Sequence, residues 1–92
     1  MDVWRTTTPR PILDVVRTVK TLDSNGNTAF IAHCGMVRAS ESKDYSLTMH
    51  ENHLAAVLEA LSRFNPRATY RLVCFSTIGA DKYGTFVMER LP

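Results

Sequence analysis

The residues best suited to chemistry are the histidines, the cysteines and a run of arginines. "HENH", His50 to His53, sets two imidazoles three residues apart. The zinc-protease motif H-E-x-x-H places its histidines four apart on one helix face, so that both reach one ion. At a spacing of three, a metal site would also need His33 or Cys34 brought up from another element. The plainer reading makes His50 a half-buried histidine at a helix start and His53 a surface one. "HCG", His33 to Gly35, sets a base beside a thiol. Neighbours in a strand point to opposite faces, so His33 cannot activate Cys34 directly. Cys34 also falls among Phe30, Ala32 and Met36, surroundings that disfavour a thiolate. There is no glycine-rich phosphate loop, no carboxylate pair on one face and no Ser/His/Asp arrangement. The expectation is a protein without catalysis, metal or cofactor.

Arg63, Arg67 and Arg71 follow one another from a helix end into the next strand, and Arg5 and Arg10 stand near the N-terminus. Arg63 has an ordinary reason to be there, because a cation near a helix C-terminus meets the carbonyl ends. The other arginines are either a solvated face or a stripe for phosphates, a nucleoprotein or an acidic protein surface. Tyr70 and Tyr83 could add stacking or anchoring. The net charge of +2 is too small to decide between these.

Ninety-two residues, 45% apolar and 22% charged, suit one globular domain spanning 1–92. No apolar run approaches the roughly 18 residues of a membrane-crossing helix. "MDVWRTTTPRP" lacks the apolar centre of a signal peptide and reads as an extended arm over 1–10. Two cysteines are too few for a disulfide scaffold, so Cys34 and Cys74 are expected as buried free thiols in a cytoplasmic protein.

The elements that must position these residues begin with "TVKTLDSNGNTAFIAHC". Asn25-Gly26 suits a two-residue hairpin turn, since both tolerate positive φ. Centred there, the hairpin pairs Thr21 with Phe30, Val19 with Ala32 and Arg17 with Cys34. One face then carries Leu13, Val15, Val19, Phe30, Ala32, Cys34 and Met36, and is the expected core. The other carries Asp14, Val16, Thr18, Lys20, Leu22, Ile31, His33 and Val37. "ASESKD" reads as a loop and "YSLTM" as a short third strand. Thr48 and Glu51 form a capping box that opens a helix from about Met49 to Phe64. Its apolar stripe is Leu54, Val57, Leu58, Leu61 and Phe64, with Asn52, Ala55, Glu59 and Arg63 opposite. Asn65-Pro66 ends it, Asn65 accepting a left-handed cap. "ATYRLVCFSTI" is apolar on both sides and predicts an inner strand. "GADKYG" turns into a last strand, "TFVMERL". The fold class is α+β in the order β-β-β-α-β-β, an antiparallel sheet of four to five strands with one amphipathic helix on one face.

One helix covers one face of such a sheet and leaves the other. Val16, Ile31 and Val37, beside Lys20 and His33, make the second face a candidate interface, with Arg63, Arg67 and Arg71 as further candidates. The N-terminal arm with Trp4, a second copy in a homodimer or a different partner could cover it.

A short chain built of a hairpin ("ILDVVRTVKTLDSNGNTAFIAHCGMV"), a helix ("TMHENHLAAVLEALSRF") and a closing β-segment resembles small phage-encoded inhibitors of the anti-CRISPR type. That resemblance implies docking on a host nucleoprotein complex and blocking its access to DNA. The alternatives are a small dimeric nucleic-acid-binding protein and, third, a metal-dependent or thiol enzyme.

Overall fold

The computed structural model describes residues 11–92, so the expected arm over 1–10, with Trp4, Arg5 and Arg10, lies outside the described residues. Among these described residues five strands and one helix follow in the order β1 (Ile12–Leu22), β2 (Thr28–Cys34), β3 (Val37–Ser42), α1 (Met49–Phe64), β4 (Thr69–Ile78) and β5 (Tyr83–Leu91). The strands form one antiparallel sheet in the spatial order β3-β2-β1-β5-β4. The α+β class and the β-β-β-α-β-β order are as the residue pattern predicts. Among the described residues no helix is long and apolar enough to cross a membrane.

The first hairpin closes differently from the expected two-residue turn, and the difference reorganises the core. The Asp23 carboxylate accepts from the backbone N–H groups of Asn25 and Asn27, both at 2.9 Å. The Gly26 N–H donates to the Asp23 carbonyl, and only Gly26 in this turn has positive φ, at 79°. This is the longer turn in which a left-handed glycine follows a turn begun by an aspartate. It pairs Leu22 with Thr28, Lys20 with Phe30 and Thr18 with Ala32. That is one residue away from the expected register, and a slip of one flips every side chain of a strand. Val16 and Thr18 therefore face the helix, beside Phe30, Ala32 and Cys34, while Leu13, Val15 and Val19 face away.

The third strand also moves. β3 is Val37–Ser42, taken largely from the stretch expected as a loop, and Tyr45 to Leu47 is not strand. The cause is a two-residue turn at Gly35-Met36, with Gly35 at φ 58°, which pairs Cys34 with Val37. Met36 projects from that turn into solvent.

α1 begins at the expected capping box: Thr48 Oγ1 accepts from the Glu51 N–H, and the Glu51 carboxylate accepts from the Thr48 N–H. It ends at Asn65, whose φ of −147° is extended rather than left-handed; its N–H donates to the Leu61 carbonyl. The buried face is Asn52, His53, Ala56, Val57, Ala60 and Leu61, whereas Leu58 and Phe64 are largely exposed. The helix is thus rotated toward its alanines. Ala56 and Ala60 let it approach β2 and β3 closely, so that Phe30 and Phe86 fill the space between the layers. Burying each such large apolar side chain contributes about 1.5–3 kcal/mol.

The largest departure concerns β4. Its apolar composition predicts an inner strand, yet among the described residues it lies at the sheet edge, paired only with β5. α1 sits over β1, β2 and β3 and touches β5 only slightly. It reaches β4 through His50, whose ring lies 4.9 Å from that of Phe75. Leu72, Val73, Phe75 and Ile78 consequently stay 36%, 49%, 42% and 66% exposed.

Candidate docking surface

Strand partners share a face of the sheet, so the register lays out the surface that α1 leaves open. One row across the strands is Arg38, His33, Arg17, Thr85 and Ser76. The row on one side is Ser40, Ile31, Val19, Tyr83 and Ile78. The row on the other side is Val15, Val87 and Cys74, followed by Leu13, Glu89 and Arg71. Val15 and Tyr83 are about half exposed, and Arg17, His33 and Arg38 are exposed. Neither Arg17 nor Arg38 has an ion-pair partner among the described residues. The only carboxylate in these rows, Glu89, is bound by Arg71. The result is a cationic band between two apolar strips, one of them carrying an aromatic ring.

The candidate interface residues divide accordingly. Ile31 and His33 lie on the open face, as expected. Val16 does not: it is fully buried under the helix, because the Asp23-capped turn shifts β1 by one residue. Lys20 moves with it to the helix side, opposite Phe30. Val37 pairs with Cys34 and packs against the core. Arg17, expected beside Cys34 in the core, takes their place on the open face. Arg63, Arg67 and Arg71 do not form one stripe. Arg63 is on α1, bonded to Glu59 and to the Arg38 carbonyl. Arg67 is exposed in the turn before β4. Arg71 is on the open side of the sheet with Glu89.

His53, expected at the surface, is fully buried between β1 and the β4–β5 turn. Its Nε2 lies 2.7 Å from the Asp81 carbonyl, which can only accept, so Nε2 carries the proton. Nδ1, 2.7 Å from Thr18 Oγ1, therefore accepts from that hydroxyl. Burial holds the imidazole below its ordinary value, although the Asp81 carbonyl and carboxylate pull the other way. Asp81 and Ala80 both have positive φ, 64° and 55°, a strained choice for residues other than glycine. Asp81 is secured on two sides: its carboxylate accepts from Thr77 Oγ1 at 2.7 Å and lies 3.3 Å from His50 Nε2. The Thr77 bond is the main reason that carboxyl sits below its usual range. Thr18 and His53 have almost no solvent exposure, so no substrate reaches them. Among the described residues no cluster of three His, Cys, Asp or Glu side chains suits a metal. The Thr18–His53–Asp81 chain is a pin between layers.

The cysteines separate. Cys34 is buried, and burial, with Asp14 second, raises its thiol pKa. Cys74, expected to be buried, is exposed on the open face because β4 is an edge strand.

The register-dependent members of this surface, Arg17, Arg38, Val15 and Tyr83 beside one another, could not be assembled from residue types alone. Asp23 was the available signal, being a turn-forming residue two places before Asn25. No protein-family model, curated protein or solved structure matches this chain.

Proposed function

We propose that the protein is a non-enzymatic binding protein that docks the open face of its sheet on a protein or nucleoprotein partner, as an inhibitor of the anti-CRISPR type would. The supporting observation is the band of Arg38, His33 and Arg17 flanked by exposed Val15 and Tyr83. Interfaces combine apolar burial with charges that orient the partner, and arginines without an ion-pair partner among the described residues suit a surface bearing phosphates or carboxylates. Val15→Asp with Arg17→Glu changes this surface without touching the core. The test measures target-DNA binding by a panel of reconstituted guide-RNA effector complexes with excess protein. Inhibition by the wild-type chain and its loss in the double variant are expected. Unimpaired DNA binding across the panel would overturn the inhibitor reading.

A second reading has its own support. A cationic band beside an aromatic ring on an open sheet also suits a nucleic-acid strand, with phosphates on Arg17 and Arg38 and a base on Tyr83. Titration of a labelled oligonucleotide at several salt concentrations separates the two. Direct phosphate contact gives an affinity falling linearly in log–log salt, and no measurable binding at low salt excludes it.

A further inference from the structure

β4 is an edge strand with little of the usual protection. Edge strands are commonly kept from pairing by charges, proline, shortness, bulges or a covering element. β4 has ten residues, "TYRLVCFSTI", with Arg71 as its single charge, no proline and, among the described residues, no covering helix. The opposite edge, β3, reads "VRASES" with charges at Arg38 and Glu41, and lies under α1. A bulge at Val73 is the one irregularity of β4: Leu72 pairs with Met88, and Cys74, two residues on, pairs with Val87.

That bulge determines which strand β4 can accept. In an uninterrupted strand, residues an even number apart share a face. Here Tyr70 and Leu72 face the helix side, with Arg90 and Met88, and beyond the bulge Phe75 and Thr77 face that same side, with Phe86 and Gly84. Arg71 and Thr69 face the open side, as do Ser76 and Ile78. Lay β4 antiparallel to a copy of itself about a two-fold axis perpendicular to the sheet, with all ten residues overlapping. Tyr70 then meets Thr77, Leu72 meets Phe75, Arg71 meets Ser76 and Thr69 meets Ile78. Each of these four pairs lies on a common face, which opposed residues of an antiparallel ladder require, and the fifth sets the bulged Val73, which has no partner on β5, against Cys74. Without the bulge the same overlap would set helix-side residues against open-side ones. Charge selects the same arrangement: a parallel pairing in register would oppose the two Arg71 side chains, whereas this one opposes each to a serine.

We propose that the partner of β4 is a second copy of this chain, joined by antiparallel β4–β4 pairing in the register that sets Leu72 against the partner's Phe75 and Arg71 against the partner's Ser76. The product is a continuous ten-stranded sheet with both helices on one side. On the open side, the row Arg38, His33, Arg17, Thr85, Ser76 continues into the partner's Arg71. Self-association stands independently of the proposed function. The claim that it lengthens the docking surface rests on that function.

The test uses the full chain with no other partner present. Sedimentation of the wild type should show a monomer–dimer equilibrium. Ser76 is exposed, so its variants leave the monomer fold intact, which a melting curve checks. Ser76→Glu sets the new carboxylate of each protomer against Arg71 of the other, two such pairs per dimer, and should lower the dimer dissociation constant by about 2- to 30-fold. Ser76→Arg should raise it by a similar factor. Amide exchange supplies a second measurement: protection of Leu72 to Phe75 should rise with protein concentration. A chain that stays monomeric to millimolar concentration overturns the proposal, and leaves this edge to a foreign strand. A dimer indifferent to both Ser76 variants, or β4 protection independent of concentration, also overturns it.

Discussion

The hydroxyl of Thr18 donates to His53 Nδ1 at 2.7 Å, and this buried bond ties the central strand of the sheet to the first turns of the helix. With Nε2 donating to the Asp81 carbonyl, the neutral ring satisfies both imidazole nitrogens. Protonation would turn the Thr18 hydroxyl from donor to acceptor and place a charge in a buried site.

Stability should therefore fall as the solution is acidified. Burial lowers the His53 pKa from 6.5 in the folded state, so the unfolded chain takes up the proton first. The contribution of the neutral ring is fully present above about pH 6.5 and is lost as pH falls from there toward the folded-state value. A second loss is expected below about pH 4, where Asp81 and Glu51, whose pKa values are lowered by their hydrogen bonds, become protonated. Urea midpoints from pH 8 to pH 3 measure both. His53→Gln should be less stable at pH 7.5 by about 1–3 kcal/mol and flatter between pH 7 and 5; a profile parallel to the wild type would refute the assignment.

Gly84 should tolerate no side chain. A Cβ there would collide with Thr18 Oγ1 and come 2.9 Å from Phe86 Cε1. Gly84→Ala is expected to cost on the order of 1–3 kcal/mol by overpacking. Thr18→Ala should offset part of that loss, so a double-mutant cycle will be non-additive. Additive thermal shifts would place the collision elsewhere.

Leu61 and Leu58 are consecutive members of one heptad-like stripe but should behave differently. Leu61 is 1% exposed and Leu58 48%. Leu61→Ala should cost about 2–5 kcal/mol through a core cavity, and Leu58→Ala about 0.5 kcal/mol or less. Chemical denaturation of the two variants decides it, and equal losses would mean that the helix is not rotated as described.

One thiol should react in the native protein. Cys74 is exposed, while Cys34 is buried with its thiol pKa raised. A chromogenic thiol reagent at pH 7.5 should be consumed at one equivalent promptly and at a second only on unfolding. Cys74→Ser should abolish the prompt phase; its persistence would assign the reactive thiol to Cys34.

Local signals along the chain were sufficient for the α+β class, the β-β-β-α-β-β order, the helix from Met49 to Phe64 and its capping box, because each depends on residues within a few positions of one another. Alternation also marked Ile31 and His33 for the face away from the core. The rest was decided at longer range. Asp23 closes the first hairpin with one residue more than Asn25-Gly26 alone suggests, and that slip exchanges Val15 for Val16 and Val19 for Thr18 in the core. The helix rotates toward Ala56 and Ala60 because close approach to β2 and β3 requires small side chains, which apolar periodicity does not distinguish from a leucine stripe. β4 has the composition of an inner strand but no sequence-local property says which neighbours it will have. β5 pairs with β1 on one side and β4 on the other, and this leaves β4, with Cys74 and Phe75, at the edge.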